Sequence, residues 1–168
     1  MNYLKCLLLV LLTSTLYSQV ERVGVVMAVH DGDSYAIFFP DDSSRIWVRV
    51  IGVDCPEVIS NHITENQPWG VEIGTKVREL LKGQPIIAIT YGYDKYGRLL
   101  ARIFHNSIEI NDWLLASGYG VYLTSETPLK LRRHYQYSRS KARKDRLAIW
   151  GDPHMMTPYQ WRVRHWRH

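Results

Sequence analysis

Polar and apolar residues alternate from Arg45 to Ile51, with Ile46, Val48 and Val50 on one side and Arg45, Trp47 and Arg49 on the other. A period of two sends successive side chains to opposite faces, so this segment predicts a half-buried strand. Its apolar face packs inward, while its other face carries two arginines toward water or a ligand. Val23 to Val29 is a β-branched run that ends at the turn His30-Asp31-Gly32-Asp33. Tyr35 to Phe39 predicts another strand, closed by the turn formers Pro40-Asp41-Asp42-Ser43-Ser44. Pro85 to Tyr93 and Arg98 to Phe104 complete the set, with Asp94-Lys95-Tyr96-Gly97 as the turn of a hairpin.

Elsewhere the period changes to that of a helix. Trp69, Ile73, Val77, Leu80 and Leu81 recur at helical spacing, and Gly83 stops the run. Asn111 is placed to cap a short helix, Asp112 to Ser117, that Gly118 ends. A last helix is predicted from Pro128 to Ala148, with Leu131, Tyr135, Ser138, Ala142 and Ile149 on one side. Five strands with a helix between the third and fourth are the order of a small Greek-key barrel. The expected fold class is therefore α+β, mainly β: a five-stranded Greek-key OB-fold barrel with three helices. The open face of such barrels binds oligonucleotides.

The N-terminus adds an expectation about location. Lys5 precedes the apolar run Cys6 to Leu12, and small and polar residues follow up to Tyr17-Ser18-Gln19. This is the pattern of a cleavable secretory signal over residues 1–18, leaving 19–168 as one domain. An apolar run this short cannot cross a hydrocarbon core of roughly 30 Å, so no membrane anchor is expected after processing. The protein is then secreted or periplasmic. Removal of the signal takes Cys6 with it and leaves Cys55 alone, which excludes an intramolecular disulfide and a thiolate metal cluster.

Charge points to a partner. The chain has a formal net charge of +5, and eleven of its 21 Lys and Arg lie from Lys130 onward, against two acids there. A polyanion is a fitting partner for such a surface, because cations near phosphates release condensed counterions.

Chemistry concentrates in Asp31-Gly32-Asp33-Ser34, in Arg49 to Glu57 and in Asp94-Lys95-Tyr96-Gly97-Arg98. Asp33 and Asp54 offer carboxylate oxygens of the kind a hard divalent cation takes. Glu57 follows Asp54 closely, with Pro56 stiffening the path, and is placed to accept a proton from water. Arg49 and Arg98 present planar forks that match phosphate oxygens. With a divalent cation and a phosphodiester, the charges of these side chains balance to zero. Taken singly, each segment also reads as an ordinary turn or strand end; their joint occurrence is the signal.

With these segments in this order, the chain resembles the staphylococcal nuclease (thermonuclease) family. Trp69-Gly70-Val71-Glu72, Leu147-Ala148-Ile149-Trp150 and Pro158-Tyr159-Gln160-Trp161-Arg162 extend the resemblance over nearly all of residues 19–168. It implies Ca²⁺ held by Asp33, Asp54 and the backbone carbonyl of Cys55. Glu57 would be the general base or water-orienting residue, and Arg49 and Arg98 would bind the scissile phosphate. The implied reaction is hydrolysis of DNA and RNA at the P–O5′ bond, leaving 3′-phosphate ends, with single-stranded or denatured substrate preferred and the protein a monomer. Ser34 and Cys55 stand where threonine is common in the family. Gly118-Tyr119-Gly120-Val121-Tyr122 departs from the family's spacing, and leaves Tyr122 as the candidate base contact. The competing reading is a non-catalytic OB-fold module that binds nucleic acid without cutting it.

Overall fold

Strict alternation from Ile46 to Val50 builds a strand whose inward residues, Val48 and Val50, are fully buried. The structure is a computed structural model that describes residues 19–167; the expected signal segment lies outside the described residues. Five strands make up the barrel: β1 (Val20–Val29), β2 (Ser34–Phe39), β3 (Ser44–Val50), β5 (Pro85–Tyr93) and β6 (Leu99–His105). Two-residue strands β4 (Val53–Asp54), β7 (Ile108–Glu109) and β8 (Val121–Tyr122) are accessory to it.

Sheet order runs β3-β2-β1-β5-β6, and a parallel pairing of β3 with β6 closes it. Closure leaves the barrel no free edge. The expected five-stranded OB barrel is therefore the observed architecture. Tyr35, Ile37, Phe39, Val48, Val50, Ala88, Ala101 and Ile103 fill it and are essentially inaccessible. Helix α1 (Gly70–Leu81) contributes Ile73, Val77 and Leu81 to the same core. Helix α2 (Ile110–Ala116) adds Ile110, Leu114 and Leu115. Helix α3 (Leu129–Lys144) lies on α2 and is tied there by Ser138 Oγ donating to Asp112 at 2.6 Å.

Among the described residues four α-helices are present rather than three, because residues Pro158–His165 form α4. Its start is a capping box: Thr157 accepts from the Gln160 N–H, while the Gln160 side chain accepts from the Thr157 N–H. Helix α3 stops at Lys144 rather than at Ala148, since Arg146 and Ala148 both take positive φ.

Asn111 corrects a second expectation. It lies inside α2, where Glu109 occupies the N-cap position. Fully buried, it accepts from the Ile103 N–H at 3.0 Å and donates to the Ile51 carbonyl at 2.8 Å. Its amide thus joins α2 to β6 and to the end of β3. Asn111→Ala would leave a buried donor and a buried acceptor unpaired, and is expected to cost about 3 kcal/mol in chemical denaturation. A loss within experimental error would show that water replaces both bonds.

Candidate active site

The barrel's register assembles the site. Ser34 pairs with Arg49 across β2 and β3, and Leu99 pairs with Val48, one residue before Arg49. Segments that begin at residues 31, 49 and 94 therefore meet at one end of the barrel. The hairpin turn takes the expected form. Asp94 accepts from the backbone N–H of Tyr96 and of Arg98, and Gly97 adopts φ +79°.

Side chains at this end form one continuous run of charge-assisted hydrogen bonds. Arg98 donates to Ser34 Oγ at 3.3 Å, and Ser34 donates to Asp33 Oδ1 at 3.0 Å. Arg49 donates to the same Asp33 oxygen at 3.0 Å and, through its other terminal nitrogen, to Asp54 Oδ1 at 3.0 Å. Asp54 then accepts from Arg162 at 2.9 and 3.0 Å, one contact to each carboxylate oxygen. Arg162 also donates to Glu57 Oε1. Asp33, Asp54, Arg49, Glu57 and Arg98 are all members of this run, as the sequence reading expects of a common site.

The members differ in exposure. Asp33 and Asp54 are 3% and 2% exposed, and Arg49 is 8%. Arg98 is more open, with its guanidinium near the Tyr96 ring and held on Asp94 by a 2.8 Å bond. Burial works against the charge of Arg49, but Asp33 and Asp54 outweigh it and hold its pKa above the ordinary value. Burial, followed by the charge of Asp33, pushes the Glu57 carboxyl up, and Arg162 opposes that rise. Asp31, buried beneath the site, is raised well above the usual carboxylate range by burial and by Asp33 and Glu57.

Four carboxylates, of Asp31, Asp33, Asp54 and Glu57, meet three guanidiniums here, of Arg49, Arg98 and Arg162. The donor set is all oxygen and two aspartates are deeply buried, which suits a hard divalent cation. Among the described residues, no group of three His, Cys, Asp or Glu side chains closes on a common point. A cation at Asp33 and Asp54 would therefore complete its shell from backbone carbonyls and water. Each Oδ1 already accepts two of the hydrogen bonds described, so the lone pair left for the cation on each aspartate is on Oδ2.

Cys55 fits this picture through its backbone. Its N–H donates to Asp33 Oδ2 at 2.7 Å, while its side chain is buried. Burial and the neighbouring aspartates push the thiol far up, away from the thiolate that oxidation requires. Tyr122 pairs with Val53, beside Asp54; it is largely buried, its ring is T-shaped to that of Tyr135, and its hydroxyl donates to the Arg132 carbonyl at 3.4 Å.

Three further residues shape the site, and the sequence alone gives none of them a role in it. Asp31 holds the Asp33 N–H at 3.0 Å and so shapes the turn that presents Asp33. Gln67 accepts from the Glu57 N–H at 3.1 Å and donates to the Met156 carbonyl at 2.7 Å, which fixes the loop carrying Glu57. Arg162 comes from α4, more than 100 residues from Asp54 in sequence. The start of α4 carried a signal in Thr157-Pro158-Tyr159-Gln160, but its contact with Asp54 did not.

Gly70 at the start of α1 sets the height of Glu57. A Cβ at Gly70 would lie 2.3 Å from the Glu57 carbonyl oxygen, so only glycine lets the helix approach that backbone. Gly70→Ala is expected to displace Glu57, reducing turnover roughly tenfold through misplacement. Its stability should fall by about 1–3 kcal/mol from overpacking. Steady-state kinetics beside urea denaturation would separate these effects, and unchanged turnover would show that the loop absorbs the extra methyl.

Comparison with known proteins places this geometry in context. The sequence signature of the family described as staphylococcal nuclease homologue matches residues 47–152. An uncharacterized endonuclease of Escherichia coli O157:H7 is 24% identical over 143 residues, covering 84% of this chain and 85% of that protein. A thermonuclease of Staphylococcus hyicus is 27% identical over 135 residues, covering 79% and 78% respectively. A probable endonuclease of Eremothecium gossypii is 28% identical over 124 residues, which are 70% of this chain and 45% of that protein.

Proposed function

Because the chain belongs to the family of staphylococcal nuclease homologues, its chemistry is that of a nuclease, and we propose that it is an exported, calcium-dependent one. It hydrolyses phosphodiester bonds of DNA and RNA at the P–O5′ position and leaves 3′-phosphate ends. The observation that carries the reading is the run of bonds linking Arg98, Ser34, Asp33, Arg49, Asp54, Arg162 and Glu57. It gathers carboxylates for a cation, guanidinium forks for a phosphate and a carboxylate for a water at one end of the barrel.

Asp33, Asp54 and the Cys55 carbonyl would hold Ca²⁺, which when bound supplies a Lewis acid for the phosphoryl oxygens. Arg98 is the more accessible guanidinium and binds the phosphate first. Arg49 holds Asp33 and Asp54 and turns part of its fork to the phosphate as charge builds there. Glu57 accepts the proton of the attacking water. As the P–O5′ bond breaks, the leaving oxygen takes a proton from solvent water to become a 5′-hydroxyl. The hydroxide so formed is neutralised by the proton that Glu57 gives up. Two guanidiniums that bind the pentacovalent state more strongly than the ground state lower the barrier.

Export and a monomeric state belong to the same proposal. They fit a single domain that degrades single-stranded or denatured nucleic acid outside the cytoplasm, where calcium is abundant. Among the described residues no helix is long and apolar enough to cross a membrane. Digestion of single- and double-stranded DNA and RNA with Ca²⁺, with Mg²⁺ and with chelator is the direct test. Cleavage of denatured DNA that needs Ca²⁺ and yields 3′-phosphate ends is expected. Binding without cleavage at any Ca²⁺ concentration would replace this reading with the non-catalytic OB module.

A further inference from the structure

Helix α4 and the loop following β4 make a satellite unit over the open end of the barrel. Trp161 Nε1 donates to the Glu65 carbonyl at 3.1 Å, the Thr64 N–H donates to the His165 carbonyl at 3.1 Å, and the Arg167 N–H donates to the His62 carbonyl at 2.8 Å. Little apolar surface holds α4 down, since Pro158 is its only buried residue. Its strongest attachment to the barrel is electrostatic. Arg162 bridges both oxygens of Asp54 and reaches Glu57 at 2.5 Å, all three contacts made by one guanidinium. Asp54 is 2% exposed, so this arginine covers the outer side of a deeply buried carboxylate.

We infer that Arg162 is a built-in counter-cation for Asp54 and Glu57, and that a divalent cation and Arg162 compete for these carboxylates. The inference rests on the calcium reading of the site. Without the cation, Arg162 offsets the excess negative charge and pins α4 over the site. With the cation bound, a guanidinium on the same two carboxylates is repelled by a double positive charge and its bidentate grip on Asp54 is lost. Helix α4 then loosens from the loop that carries Glu57. Arg162 is a positioning residue in this scheme: it sets when the site is open and acts through Asp54 and Glu57.

Calorimetric titration with CaCl₂, together with hydrogen exchange of residues 157–167, tests this on the full-length mature chain. The apparent dissociation constant for Ca²⁺ is expected to tighten at least about fivefold in Arg162→Gln, because no internal cation must first be displaced. Arg162→Lys, which keeps the charge but cannot span both Asp54 oxygens, should lie between the two. In the unsubstituted protein, Ca²⁺ should speed exchange in α4 by at least about threefold, as an attachment is released. In Arg162→Gln, exchange there should be fast from the start and indifferent to Ca²⁺. Equal or weaker binding by Arg162→Gln, or α4 exchange that Ca²⁺ slows or leaves unchanged in the unsubstituted protein, would overturn the competition while leaving the calcium reading in place. Failure of all three proteins to bind Ca²⁺ would overturn both.

Discussion

Arg49→Ala is expected to lower unfolding stability by about 3–5 kcal/mol, the usual consequence of removing one partner from a buried ion pair. The same change should reduce phosphodiester cleavage by at least about 10²–10³-fold, as for the loss of a charge-stabilising donor. Both effects follow from one position. Arg49 donates to Asp33 and to Asp54 at 3.0 Å each, and it is the only guanidinium that reaches both among the described residues. Its removal leaves two buried carboxylates facing each other with part of their hydrogen bonding lost. Ser34, the Cys55 N–H and Arg162 still contact them, so the protein should fold. Arg49→Lys should recover only part of the stability and little of the rate, because a single ammonium cannot donate to both aspartates and to a phosphate. Urea denaturation with and without Ca²⁺ supplies a second reading. If a cation sits between Asp33 and Asp54, adding it should restore part of the stability lost in the alanine variant. A loss below about 1 kcal/mol would show that Arg49 is a solvated surface pair rather than the centre of the site.

Strands β5 and β6 alternate between buried and more open residues and so carry their period in sequence. Strand β2 is buried on both faces and was legible from the turn formers that bound it. Observed β5, Pro85–Tyr93, has the predicted bounds, and β3 differs by one residue at each end. A closed barrel was expected, but the pairing that closes it was not legible. Closure depends on a three-residue parallel pairing of Val48, Arg49 and Val50 with Leu99, Leu100 and Ala101, which no local pattern announces. Helix α4 escaped for a different reason. Residues Trp161 to Arg167 interleave aromatic and basic side chains without an apolar stripe, and the helix is held by its cap and its ion pairs rather than by burial. Residues 166 and 167 are held as well, since Trp166 stacks on His62 and the Arg167 N–H reaches the His62 carbonyl. For the site, residues close in sequence to a turn or strand end could be read together. Arg162 could not, because its partners are set by tertiary folding across more than 100 residues.

Glu57→Gln separates an enzyme from a binding module with the least structural disturbance. The amide has the shape of the carboxylate, and Glu57 sits in a neighbourhood already crowded with negative charge, where burial and Asp33 push its carboxyl up. Losing the ion pair to Arg162 and losing the repulsion from Asp33 act in opposite directions, so stability should change by less than about 1 kcal/mol. A glutamine cannot accept the proton of the attacking water. Turnover should therefore fall at least about 10²-fold, within the range attributed to general bases. Affinity for a noncleavable oligonucleotide should be retained, because Arg49 and Arg98 remain in place. A fall in turnover with KM unchanged would mark an interaction made in the transition state only. If the rate is instead unchanged, Glu57 has no part in proton transfer, and its bond to Arg162 is then its whole role: an anchor for α4 beside a site whose base lies elsewhere.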